Sequence, residues 1–138
     1  MTNLKLRIIT PQKIVLEEEV LSISLPTPNG EITILPHHIN LFSLLTEGII
    51  KFKKQNTEDY LAIGGGYLET DGSTVNILVS RAYGQDAIDE KLTAEAIKKA
   101  RNILKESKNE AERQQAVAII RRSLIDSRLI KKRKAKNL

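Results

Sequence analysis

Two adjacent histidines, a run of three glycines and a group of arginines are the residues of this 138-residue chain whose types and spacing suit chemistry. His37 and His38 would serve as metal ligands or in acid–base work only with further ligands or a positioned partner, and no third ligand stands at a recognisable spacing. They read as surface or interface histidines. Gly64, Gly65 and Gly66 would cradle a phosphate if they had a defined Gly spacing, a Lys and a following helix. Here the run lies between two strand patterns, which predicts a bulge or close backbone packing. From Lys131 to Lys136 five of six residues are basic, a composition that attracts phosphate backbones or acidic lipid, or that simply stabilises a helix end. No aromatic stands nearby to stack bases, so nucleic acid is not expected as a partner. Arg121, Arg122 and Arg128 sit mid-helix, where guanidinium groups either face water or pair with the carboxylates of a partner. No Ser/His/Asp arrangement, carboxylate pair or metal signature emerges, and catalysis by this chain alone is not expected.

The elements that carry these residues differ along the chain. All seven Gly, all four Pro and all five aromatics lie at or before Gly84. Residues 1–84 carry 7 Lys+Arg and 9 Asp+Glu, whereas residues 85–138 carry 15 and 8, so a net −2 part meets a net +7 part. We expect two domains, 1–84 and 85–138. In the first, apolar side chains recur every second residue: Leu4, Leu6 and Ile8, then Leu21, Ile23 and Leu25. Pro26, Thr27, Pro28, Asn29 and Gly30 supply turn chemistry before Ile32 and Ile34 resume the pattern, a hairpin-like unit. Further strands are predicted over Leu41 to Thr46, Gly48 to Lys53, Tyr60 to Ile63, Tyr67 to Glu69 and Thr74 to Ser80, with a tight turn at Asp71 and Gly72. Short strands with frequent turns predict a β-sandwich or barrel whose core is mostly Ile, Leu and Val.

Beyond Gly84 the period becomes helical. Leu92, Ala96, Ala100, Ile103 and Leu104 define one stripe, and Val117, Ile120 and Leu124 another. Between them Glu106 to Asn109 is a polar break, and Asn109 with Glu112 resembles a capping box in which the Glu reaches back to the cap. Ala96 and Ala100 would let the helices approach closely as a hairpin. A long helix with few anchors predicts two accessible arrangements, compact and extended. The chain has no Cys, which excludes disulfides and thiolate chemistry. Its longest apolar run, Ala116 to Ile120, is five residues where a bilayer span needs roughly 20. With no secretory pattern at the N-terminus, a cytoplasmic or organelle-stromal protein without direct membrane insertion is expected.

Several stretches resemble the epsilon subunit of F-type ATP synthases of the bacterial and plastid type. They are Pro28 to Leu41 with Glu47, Gly48, Ile49 and Ile50; Gly65 to Glu69 followed by Asn76, Ile77 and Leu78; and Ala82 to Ile88 leading into Asp89 and Glu90. Order and spacing agree across nearly the whole chain. The resemblance implies an α+β fold, an N-terminal antiparallel β-sandwich followed by a C-terminal two-helix antiparallel hairpin. It implies a non-catalytic part of the central rotor stalk, whose partners are the gamma subunit, the polar loops of the c-ring and the alpha/beta catalytic head. The site would be the cytoplasmic face of the cell membrane, or the stromal face of the thylakoid in a plastid. Glu31 and the His38 region match the end of the sandwich that faces the ring. The basic hairpin, with Arg121, Arg122 and Arg128, is expected to restrain ATP hydrolysis. Some family members bind ATP through Ile or Leu, Asp, two variable residues, Arg and Ala. Here Ile88, Asp89, Glu90, Lys91, Leu92 and Thr93 put Leu92 where the Arg belongs, so no ATP or other cofactor is expected. The rival readings are a stand-alone nucleic-acid module and, third, an enzyme.

Overall fold

The computed structural model describes residues 3–38 and 40–136, with side chains through residue 132. Ile39 of the resembling stretch and the side chains of Arg133, Lys134 and Lys136 of the basic tail lie outside the described residues. Ten strands come first: β1 (Leu4–Ile9), β2 (Ile14–Val20), β3 (Ser22–Thr27), β4 (Gly30–Ile34), β5 (Leu41–Leu45), β6 (Gly48–Lys53), β7 (Glu58–Ile63), β8 (Gly66–Thr70), β9 (Thr74–Val79) and β10 (Ala82–Tyr83). They form two five-stranded sheets, ordered β2-β1-β9-β8-β5 and β10-β7-β6-β3-β4. The inward residues of the alternating strands, among them Leu6, Ile23, Leu25, Ile50, Leu68 and Ile77, are fully buried between the sheets. Phe52 is the aromatic among them.

The sandwich departs from the expectation in two places. β1 runs parallel to β9, with Lys5 opposite Thr74 and Ile9 opposite Leu78, so the first sheet is mixed and not purely antiparallel. β2 was not expected, because Glu17, Glu18 and Glu19 erase the alternation of an edge strand that is exposed or half exposed up to the buried Val20. The β3–β4 hairpin closes as read, Thr27 opposite Gly30, with Gly30 at φ 116°. The Asp71–Gly72 turn also forms. Gly72 adopts φ 93°, and the Asp71 carboxylate accepts from Ser73 N and Thr74 N, both at 2.9 Å.

A contact boundary falls between Tyr83 and Gly84. The second unit opens with a 3₁₀ turn, Gln85–Ala87, followed by α1 (Glu90–Glu106) and α2 (Glu110–Lys136), which pack side by side. The seam is only partly the expected one, keeping Ala96, Ala100, Leu104 and Ile120. Leu92 and Ile103 on α1, and Val117 and Leu124 on α2, stand exposed, while Ala100, Ala116, Ser123 and Ile130 are buried. Positions 116, 120, 123, 127 and 130 alternate in steps of four and three, the spacing of a close helix–helix seam. Ala116, Ser123 and Ser127 keep these positions small where the backbones come close, and Ile120 and Ile130 fill the wider places between them.

Candidate functional site

Because strands alternate, the outward face of the β2-β1-β9-β8-β5 sheet carries every second residue of each strand. The register places Leu44 opposite Tyr67, Tyr67 opposite Leu78, and Leu78 opposite Ile9. Four apolar residues on four neighbouring strands thus share one row of an outer face. Leu44 is 60% exposed, and Phe42, next on the same face of β5, is 62% exposed with its ring 5.2 Å from that of Tyr67. The neighbouring row, Phe42, Glu69, Asn76 and Arg7, turns polar away from β5. An apolar row rimmed by polar residues on a sheet face is the arrangement of a protein-docking surface. Sequence reading missed it, although Phe42 and Leu44 alternating with Leu41, Ser43 and Leu45 marked a strand apolar on both faces.

The two ends of the sandwich differ. Thr46 N donates to Pro26 O at 3.1 Å, and a Cβ on Gly48 would stand 3.0 Å from Pro26 Cγ, so the β3–β4 and β5–β6 turns lie together. Glu31, exposed at the start of β4, belongs to this end, as does the Glu47–Arg81 ion pair. His37 N donates to Gly72 O, and His38 N to Leu35 O, which sets both histidines beside the β8–β9 turn at the other end. His37 is left-handed at φ 67°. Glu31 and His38 therefore do not share an end of the sandwich, contrary to the expectation; β4 runs between them.

The glycine run is close packing and not a phosphate cradle. A Cβ on Gly64 would meet Ser80 Oγ at 2.2 Å, and one on Gly66 would meet Leu78 O at 2.0 Å. Among the described residues no group of three or more His, Cys, Asp or Glu is placed to hold a metal. The displaced pKa values all trace to structural pairing. A hydrogen bond to Glu18, with Asp59 nearby, holds the Lys54 ammonium above the ordinary lysine value. The Tyr60 hydroxyl, and then Lys53, hold Glu58 below the usual carboxylate range, while burial and then Glu58 push the Tyr60 phenol up. Backbone N–H groups of Thr74 and Ser73 hold Asp71 low.

On the hairpin, Arg121, Arg122 and Arg128 are exposed on α2. Val117, Arg121, Leu124 and Arg128 follow one another at helical spacing, so apolar and cationic groups alternate along one exposed stripe. Arg113 and Arg121 line an open cleft of about 360 Å³ with Leu104, Gln114 and Val117. Asp89, in the stretch that resembles the nucleotide motif, caps α1 by accepting from Leu92 N at 3.0 Å, and Leu92 is 62% exposed.

Three comparisons bear on this geometry. The family model described as ATP synthase, Delta/Epsilon chain, beta-sandwich domain matches residues 3–85. The ATP synthase epsilon chain of Wolinella succinogenes is 37% identical over 108 residues, covering 78% of this chain and 82% of that one. That of Moorella thermoacetica is 31% identical over 125 residues, covering 90% and 93%. Among solved structures, a chain of the Euglena gracilis mitochondrial ATP synthase assembly of OSCP, F1 and c-ring superposes with a TM-score of 0.72 at 22% identity. All of this chain and 83% of that one are covered, which is a likeness of fold.

Proposed function

Since the chain belongs to the ATP synthase delta/epsilon chain family, a non-catalytic central-stalk component, we propose that its sandwich docks on the gamma subunit through the row Ile9, Leu78, Tyr67 and Leu44 with Phe42. The observation that carries this reading is that outward apolar row. A sheet that has already filled its core gains nothing from Phe42 and Leu44 in water, whereas a permanent partner covering both would gain about 1.5–3 kcal/mol from each. Glu31, at the opposite end from His38, is the residue we assign to the polar loops of the c-ring. His38 then meets a different surface of the stalk. The α2 stripe with Arg121, Arg122 and Arg128 faces acidic loops of the alpha/beta head and restrains hydrolysis there. Among the described residues no helix is long and apolar enough to cross a membrane. We assign attachment at the cytoplasmic membrane face, or the stromal face in a plastid, to these protein contacts.

The test is co-purification. A Phe42→Ser/Leu44→Lys double variant should keep its circular dichroism and lose affinity for a gamma-like subunit by about 700-fold, two central anchors being worth about 2 kcal/mol each. Undiminished binding would refute the docking face. A salt-dependent shift of generic DNA by the unaltered chain would instead favour a nucleic-acid module. With Leu92 in place of a phosphate-pairing cation and the Asp89 carboxylate occupied in capping, we propose no tight ATP site. Micromolar affinity by calorimetry would overturn that.

A further inference from the structure

Three connections cross between the two sheets at one end of the sandwich: β5 to β6, β7 to β8, and β9 to β10. Leu45 stands opposite Gly66 and Gly66 opposite Val79 in one sheet, while Gly48 stands opposite Ile63 and Ile63 opposite Ala82 in the other. Backbone bonds join the second crossing to the third, Gly64 N donating to Arg81 O at 3.0 Å and Ser80 N to Gly65 O at 3.1 Å. A side chain joins the third to the first, because Arg81 Nη2 donates to the Glu47 carboxylate across a sequence separation of 34 residues.

This ion pair is unlike the others of the sandwich. Its side chains are 30% and 26% exposed, the lowest values among the described pairs, against 57% and 46% for Lys5 and Glu17. Arg81 Nε is buried without a partner among the described residues, an unmade bond that a solvated arginine avoids. The side chain is therefore held along the protein, and Gly64 makes the room for it. A Cβ at Gly64 would stand 2.9 Å from Arg81 Nη1 and 3.1 Å from Arg81 Cγ.

Beyond Glu47 the contacts continue toward Glu31. Thr46 N donates to Pro26 O at 3.1 Å, and a Cβ at Gly48 would stand 3.0 Å from Pro26 Cγ and 3.2 Å from its Cβ, so the β5–β6 turn seats directly on Pro26. Pro26 is the cross-strand partner of Glu31. Proline has no N–H to give the ladder, and β4 is an edge strand with a neighbour on one side only. Glu31 is thus located by Pro26, and Pro26 by the turn that carries Glu47.

We propose that Arg81 is a positioning residue for Glu31: through Glu47 it holds the β5–β6 turn against Pro26 and so fixes the carboxylate that meets the polar loops of the c-ring. The functional consequence rests on the assignment of Glu31 to those loops; the positioning is a property of this chain alone.

Two measurements separate them. In the full chain, the backbone N–H order parameter of Glu31 should fall in Arg81→Met from the rigid range of about 0.85 toward the flexible range below about 0.6, with β1 unchanged. Glu47→Gln, which keeps the shape and removes the charge, should lower it in the same sense. An unchanged order parameter in both variants overturns the positioning. The chain joined to a gamma-like subunit is then titrated onto c-rings in detergent. Glu31→Gln and Arg81→Met should each weaken binding about tenfold, the loss of one charged hydrogen bond. The double variant should bind no worse than Glu31→Gln, since Arg81 acts through Glu31. Arg81→Lys, which keeps a charge within reach of Glu47, should lose less than Arg81→Met. Additive losses would overturn the proposal, because a merely structural role weakens binding whether or not Glu31 is present. If Arg81→Met binds as well as the unaltered chain while Glu31→Gln does not, the proposal fails and the ring contact stands. If Glu31→Gln binds undiminished, the ring contact fails, and the order parameter alone decides the positioning.

Discussion

In the sandwich the large apolar side chains point inward, with Leu6, Ile23, Leu25, Leu68 and Ile77 wholly buried. In the hairpin Leu92, Ile103, Val117, Ile119 and Leu124 stand outside, and the buried residues are Ala100, Ala116 and Ser123, joined by Ile125, Leu129 and Ile130 toward the end of α2. Burying a Leu or Ile side chain is worth about 1.5–3 kcal/mol, and an alanine methyl contributes roughly a CH₂ equivalent, about 0.8. The first unit is therefore fixed by its core. The second buries fewer large side chains, Ile125, Leu129 and Ile130, and adds polar bonds at its turn and from Gln85 Nε2, which donates to Leu129 O at 3.2 Å and holds the 3₁₀ turn along α2. The sandwich thus draws on many large apolar side chains and the hairpin on few, with small residues and polar bonds making up the rest.

The sharpest way to break this contrast is to damage the core. Leu68→Ala should cost the sandwich about 2–5 kcal/mol, seen as faster amide exchange in β8 and β9, with α1 and α2 amides unaffected. Equal loss of protection in the helices would show that the two units unfold as one. A smaller effect comes from the exposed stripe. Changing Arg121, Arg122 and Arg128 together to Gln should raise ATP hydrolysis several-fold in an assembled, inhibited enzyme, since exposed ion pairs are worth about 0.2–1 kcal/mol each. Assembly should remain intact, and unchanged hydrolysis would remove these residues from the brake. The smallest effect is on pH. The Asp71 carboxyl is held below its unfolded value by Thr74 and Ser73 N–H groups, so its contribution is complete above the ordinary carboxylate range. That contribution is lost as pH falls through the depressed value. Asp71→Asn should flatten the acid side of the sandwich's urea midpoint against pH, and a profile parallel to the unaltered chain's would rule this out.

The strands were legible where alternation was clean, as in Leu4, Leu6 and Ile8, and where turn chemistry was unambiguous, at Asn29–Gly30 and Asp71–Gly72. β2 was hidden because edge strands tolerate consecutive charges, and the β1–β9 pairing because period does not encode direction. In the hairpin, periodicity pointed to the bulkiest residues as anchors. Yet close approach selects the smallest, so Val117 and Leu124 were assigned to the wrong side while Ala96 and Ala100 were read correctly as a close-approach surface. Arg113 gave no signal at all, since a guanidinium that closes a neighbouring helix looks in sequence like any surface cation. The docking row was legible only once register showed which residues of four strands stand abreast.

The parallel pairing of β1 with β9 has a consequence for how the chain is made. β1 leaves the ribosome first and finds β2 within a few residues, but its other side stays open until β9 has been synthesised. The sheet therefore cannot close progressively. Its completion awaits nearly the whole sandwich, a high contact order that slows folding and leaves a nascent edge for chaperones to shield until translation has passed Val79.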